Sequence, residues 1–421
     1  MGFSLDQPRI DRRPPGETLL RALAVDTAGL GGSLADHEWD TAILESVRQG
    51  VIPLLFRQVQ IAASAGDVPA GVVARLRQLA VASAAKNLRL YRELTDVLGV
   101  LRRSGIDVIV LKGAYLAEAV YGDFALRSMT DIDLLVRKRD LEATESILMA
   151  GGYSYRRQPH QDEDYSQCQH LHPLTRGDGP PVEIHWTIES PTEPFEIDIE
   201  GLWERARPAR VAGVDVMVLS PEDLLLHLCL HTSFHHRLAL GLRGCWDVLE
   251  TIRREKATID WGQVERRARG WRVEKYVYLM LRLAKDLLGA PVPEPVLAGL
   301  TPGGLDPRVI QLARTEVLGQ ASERSVFAPF ARVSGSTRIL EKVRWLARAV
   351  FPSRKILGRI YPASRSLRTP YPYYLLRWHD LIRRSGMAVW CMVRRDEGFE
   401  AMIRREHERD VLMEWLKPAS L

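Results

Sequence analysis

The chain changes texture at Ile106, and that change limits what it can fold into. From Glu17 to about Gly105, apolar residues recur every three or four positions. They do so through "ETLLRALAV", "WDTAILESVRQGVIPLLFRQV" and "GVVARLRQLAVASAAKNLRLYRELTDVLGVLRRSG", the spacing of amphipathic helices. At 106 short β-branched runs take over. "IDVIVLKG" predicts a strand that ends in a turn, "AYLAEAVYG" a short helix and "DIDLLV" a second strand. "RDLEATESILMAGGYS" then reads as a helix closed by glycines. "SQCQHLHPLT" and "PPVEIHWTIE" read as two further strands across the turn "RGDGPP". The order is strand, helix, strand, helix, strand, strand over 106–190. It predicts an α+β protein with a small mixed β-sheet domain flanked by N-terminal and C-terminal helical regions.

Four parts are expected. Residues 1–105 form the N-terminal helical region, with a polar, Pro-rich leader over 1–16, and 106–195 form the α/β domain. Residues 196–300 form a helical domain with a β-hairpin arm at "ARVAGVDVMVL", and 301–421 a basic helical region. Ser220-Pro221-Glu222-Asp223 marks a helix start, with an N-cap serine, proline at the first position and acids in the first turn.

Charge is unevenly spread. Residues 331–384 carry 13 lysines and arginines against 2 acids, so a mildly acidic body bears a strongly basic segment. With its aromatics, that segment is compatible with nucleic acid or an anionic membrane surface, although no named nucleic-acid motif accompanies it. The four cysteines form no CxxC pair, which argues against a disulfide framework and fits a reducing, cytoplasmic location. The first residues hold no apolar signal segment, and Asp6 stands where a myristoylation signal wants Ser or Thr. No apolar run reaches the length of about 18 residues that a transmembrane helix needs.

The chemistry concentrates in "RSMTDIDLLV". Residues two apart on a strand share a face, so Asp131 and Asp133 point one way and Ile132, Leu134 and Val136 the other. Two adjacent carboxylates repel unless a cation lies between them. Glu183 in "VEIHW" supplies a third acid from another predicted strand. Three acids at adjacent strand mouths make an oxygen-rich cage suited to Mg²⁺ or Mn²⁺. The bland alternative has Asp131 capping a strand entry and Asp133 paired with Arg127 or Arg137. His185, two residues after Glu183, would orient the glutamate, touch an acceptor, or simply pack; Trp186 on the other face is expected in the core.

"LKGAYLAEAVYGDFALRSMTDIDLLV", "GGYSY" and "VEIHW" together resemble the uncharacterised bacterial nucleotidyltransferase family of the DNA polymerase β-like superfamily. "HLCLHTSF", "LRGCWDVLE", "IDWGQV", "FPSRKILGRIYP" and "YLLRWHDLIRR" extend the likeness over most of the chain. The resemblance implies a nucleotidyltransferase that moves a nucleoside monophosphate from a nucleoside triphosphate (ATP or another) to an acceptor by a two-metal mechanism. The acceptor would be a small molecule, a peptide, a protein or RNA. Asp131, Asp133 and Glu183 would be both catalytic residues and metal ligands. Lys112 beside Gly113 would neutralise phosphate charge. A helix starting near Ala114 would present its amides to the same phosphates. Arg127 would clamp a phosphate or pair with Asp131. The chain departs from the superfamily at the turn. Lys112-Gly113-Ala114 replaces the Gly-Ser that helps hold the triphosphate, as in a lysine-containing subset that includes abortive-infection toxins.

Other readings compete. A toxin-like enzyme acting on tRNA and a catalytically inactive nucleotide-binding regulator both fit the same motifs. His227, His231 and His235, spaced four apart, admit a zinc-dependent hydrolase, but Leu228 stands where an H-E-x-x-H motif needs glutamate. Otherwise that face turns to the cleft, where His231 would contact nucleotide or acceptor.

Overall fold

The structure, a computed structural model, describes residues 14–23, 34–63, 68–156, 167–319, 373, 374, 376 and 397–418. The chain divides into two compact units, 1–321 with 416–421 and 322–415. The expected boundaries at 105, 195 and 300 all fall inside the first. Most of the basic segment at 331–384 lies outside the described residues. The second unit is described mainly by one helix, Glu397–Trp415.

Four helices open the first unit: α1 (Pro15–Leu23), α2 (Asp36–Arg48), α3 (Ile52–Ala63) and the long α4 (Ala70–Arg103). A seven-stranded mixed sheet follows. Its strands are β1 (Ile109–Val110), β2 (Ile132–Leu135), β3 (Ser154–Tyr155), β4 (Leu174–Thr175), β5 (Val182–His185), β6 (Arg207–Val211) and β7 (Val214–Val218), in the spatial order β3-β4-β5-β2-β1-β7-β6. The hairpin β6–β7 is not an arm of the following domain. Met217 on β7 pairs in parallel with Ile109 on β1, so the hairpin widens the sheet. Its two turn residues, Ala212 and Gly213, both have positive φ, the backbone a tight two-residue hairpin loop requires.

β2 and β5 run parallel, with Asp133 opposite Glu183 and Leu135 opposite His185. Ile132, Leu134, Val182 and Ile184 fill the opposite face and are almost wholly buried. Alternation thus separates an apolar face from an acidic one, as the sequence predicts. Between β1 and β2 lie α5 (Lys112–Tyr115) and a π turn, Leu116–Val120. The helix therefore begins at Lys112, two residues before its expected start. α6 (Leu141–Ala150) links β2 to β3, and Gly152 follows it with φ of 87°.

After the sheet come α7 (Ile199–Glu204), α8 (Pro221–Leu230), a π turn over His231–His235, α9 (Leu242–Arg254), α10 (Trp261–Gly270), α11 (Glu274–Leu288), α12 (Glu294–Leu300) and α13 (Pro307–Leu318). α8 starts as predicted, its N-cap Ser220 Oγ accepting from the Asp223 amide at 3.2 Å. Leu224, Leu225, Val248, Leu249, Leu279 and Leu281 form the apolar interior of this layer. None of the described helices is long and apolar enough to cross a membrane.

Candidate active site

A polar pocket of about 200 Å³ opens over the acidic face of the sheet. Asp131, Asp133, Glu183, Lys112, Gly113, Arg127, His185 and His231 all line it. The structure thus gathers the three acids, Lys112, Gly113, Arg127, His185 and His231 at one pocket, although not in the expected pairings.

Asp133 is its buried centre. Its Oδ1 receives Lys112 Nζ at 3.1 Å and His185 Nε2 at 3.1 Å. Burial alone would raise its pKa, but Lys112 and then His185 outweigh that and hold the carboxyl far below the usual range. Glu183 is more open, with its side chain 21% exposed against 2% for Asp133. His185 Nε2 lies 3.6 Å from Glu183 Oε2, and that contact outweighs burial to lower the glutamate pKa. For His185 itself, burial pulls the pKa down, but hydrogen bonds to Asp133 and Glu183 win and raise it. Asp131 sits at the mouth of β2. Burial, and next the charge of Asp133, push its pKa up.

Ligand atoms of Asp133, Glu183 and His185 all lie within 4.8 Å of one another. Among the described residues this is the group that could hold a metal, so His185 stands nearer to ligand geometry than Asp131 does. The helical histidines do not form such a group. His227 is buried with both ring nitrogens unpartnered. His231 Nε2 lies 3.0 Å from Lys112 Nζ, and burial followed by the Lys112 charge keeps this imidazole neutral. A neutral ring nitrogen accepts from the ammonium, so His231 positions Lys112. The π turn explains how it gets there. The His236 amide bonds the His231 carbonyl five residues back, and the two Nε2 atoms meet at 3.2 Å.

Arg127 lines the pocket but pairs with Asp247, not with Asp131. Its Nε and Nη2 donate to the two oxygens of Asp247 at 2.8 and 2.9 Å, and Tyr121 OH adds a third bond to Asp247 at 2.8 Å. Arg137 pairs with Glu200 instead of Asp133. Trp186 is not core: it is half-buried, with Lys138 Nζ 3.9 Å above its ring.

Several participants escaped sequence reasoning. Asn87 on α4 grips the loop that carries Arg127 and leads to Asp131. Its Nδ2 donates to the carbonyls of Phe124 and Arg127 at 2.6 and 2.7 Å, and its Oδ1 accepts from the Met129 amide at 3.1 Å. Asp247, His170, His236 and Arg243 were also missed. The signal for two of them was present, since "LRGCWDVLE" spaces Arg243 and Asp247 four apart on a helix.

No curated protein matches the chain. A solved structure of the antibiotic-resistance factor ANT(2'')-Ia is similar over 47% of this chain and 97% of its own, at 14% identity and a TM-score of 0.33. The family described as uncharacterised nucleotidyltransferase matches residues 35–289. That span exceeds half of the chain and holds the whole pocket, so the protein belongs to this nucleotidyltransferase family.

Proposed function

We propose that the pocket transfers a nucleoside monophosphate from a nucleoside triphosphate to an acceptor hydroxyl, with Asp131, Asp133 and Glu183 as its working acids. The observation that carries this reading is register. Asp133 and Glu183 lie side by side on parallel strands, Asp131 stands at the mouth of one of them, and Lys112 reaches in from the adjoining turn. The residues fit a hard divalent cation. Asp131 is pushed toward protonation by burial and by its acidic neighbours, a repulsion that a bound cation relieves. Held by the three acids, with His185 in reach, Mg²⁺ or Mn²⁺ supplies neutralisation of phosphate charge and a more acidic acceptor hydroxyl.

The protein's own side chains divide the remaining work. In the transfer, the acceptor oxygen bonds to the α-phosphorus while the bond from that phosphorus to the bridging oxygen breaks, and pyrophosphate leaves. Glu183, the more open acid on β5, takes the hydroxyl proton. His185 holds the Asp133 carboxylate through Nε2. Lys112, steadied by His231, shifts from Asp133 to the phosphates as a flexible point charge.

The test is incubation with each α-labelled nucleoside triphosphate and Mg²⁺ or Mn²⁺, with and without cell lysate as acceptor source. Transfer of label is expected. Asp133→Asn and Glu183→Gln are each expected to lower it by about a hundred- to a thousand-fold, the scale on which lost electrostatic stabilisation acts. Label transfer that persists in the Asp131→Asn/Asp133→Asn double variant would sink the proposal. Capture of the labelled product identifies the acceptor as small molecule, peptide, protein or RNA.

A further inference from the structure

We propose that Arg243 is the residue that holds the far end of the triphosphate, the pyrophosphate that departs. This inference rests on the reading of the pocket as a nucleotidyl-transfer site and adds the residue that grips the leaving group.

Three long-chain cations line the pocket, and two of them are neutralised. Lys112 is paired with Asp133 and bonded to His231. Arg127 is paired with Asp247 through two hydrogen bonds. Arg243 is the third, and among the described residues it makes no hydrogen bond or ion pair. Its Nε is shut off from solvent without a partner. Arg243 is half-buried, and a guanidinium with its Nε shut off from water and no ion-pair partner is costly unless a bound anion supplies that partner.

The local helix explains why Arg243 is left unpaired. It stands in the first turn of α9, four residues before Asp247. At that spacing an arginine and an aspartate on a helix ordinarily pair with each other. Here both oxygens of Asp247 are already taken by Arg127, and one of them also by Tyr121. The counter-charge next to Arg243 is therefore spent on the sheet side of the pocket.

Arg243 is also held in place. The Leu242 amide donates to Gln49 Oε1 at 2.8 Å, which fixes the start of α9 against the turn after α2. Gly50 in that turn has φ of 65°, and a Cβ there would come within 3.1 Å of Arg243 Nη1. The glycine leaves the slot that the guanidinium occupies. The size of the pocket points the same way. At about 200 Å³ it is smaller than the roughly 300–1,000 Å³ of sites that enclose a whole drug-sized ligand. A polyphosphate end enclosed there, with the nucleoside outside, matches that volume. The planar fork of arginine suits two phosphate oxygens at once.

The experiment is calorimetry on the full chain in Mg²⁺, with inorganic tripolyphosphate, ATP and AMP as probes. Arg243→Gln is expected to weaken tripolyphosphate and ATP by about 10- to 100-fold and to leave AMP unchanged, with Arg243→Lys intermediate. Wild-type protein that binds no tripolyphosphate overturns the inference. So does Arg243→Gln that binds it as tightly as wild type, or that loses AMP by the same factor. A second measurement needs no variant. Tripolyphosphate is expected to protect Arg243 of the wild-type protein from phenylglyoxal, read by peptide mass spectrometry, and modification at an undiminished rate overturns the inference. The two proposals fail separately. Arg243-dependent polyphosphate binding without any label transfer keeps this inference and removes the transfer reading. Label transfer with Arg243-independent polyphosphate binding does the reverse.

Discussion

At the scale of single residues, burial decides which groups stay charged. Asp133 remains ionised in a buried place because Lys112 and His185 both lie 3.1 Å from its Oδ1. His227 has no such partner. It is buried, neither ring nitrogen is bonded, and burial lowers its pKa to about 3. The unfolded chain takes up this proton near pH 6.5, whereas the folded chain holds it off to about pH 3. The folded pKa is thus the lower one, so the contribution is complete above about pH 6.5 and is lost as the pH falls below it. The expected loss between pH 7 and pH 5 is about 2 kcal/mol. Urea denaturation at both values should show it in the wild type, and His227→Leu should lose less by about that amount. Parallel losses in the two proteins would show that His227 is not the cause. The acids of the pocket were legible from sequence, because strand alternation puts Asp133 and Glu183 on a face opposite to Ile132 and Ile184. The partner of Arg127 was not. Asp247 lies 120 residues further along, and no local rule links the two.

At the scale of elements, the site depends on a helix that contributes none of its acids. α4 is readable from its apolar spacing, yet the hydrogen bonds of Asn87 cross 37 to 42 residues of chain. They lock the loop from Phe124 to Met129, just before Thr130 and Asp131. Asn87→Ala strands one buried amide and two carbonyls, so it should cost about 2–4 kcal/mol of stability. Urea unfolding measures this. Retention of wild-type stability would mean that the loop is held by other contacts. The two π turns belong to this scale as well. Helical periodicity places His227, His231 and His235 on one face, but the five-residue bond from His236 to His231 rotates the segment and brings His236 to His231. A pattern of polar residues does not reveal such a change of turn. The hairpin β6–β7 was legible as a hairpin, with Gly213 in its turn. Its pairing to β1 was not, because parallel partners are chosen by the rest of the fold.

At the scale of the whole first unit, one ion pair fastens the helical layer to the sheet's loops. Arg127 comes from the loop before β2 and Asp247 from α9, and both are buried. Removing one partner leaves an uncompensated buried charge. Asp247→Ala should therefore cost about 3–5 kcal/mol, and replacing both residues by Met and Leu should recover most of it. Urea unfolding of Asp247→Ala and of the double variant checks this, and a double variant no more stable than Asp247→Ala would refute it. Sequence alone determined the α+β class, the strand carrying Asp131 and Asp133, and the acid on "VEIHW", because hydrophobic period and turn chemistry act over a few residues. Tertiary structure alone decided what these groups touch. It set Asp133 opposite Glu183, gave Asp133 to Lys112 and His185, and gave Arg127 to Asp247. It thereby left Arg243 without an ion-pair partner at the pocket wall. Ion pairs and hydrogen bonds form between whichever groups the folded backbone brings within about 3 Å, and for these pairs that proximity comes from packing of segments far apart in the chain.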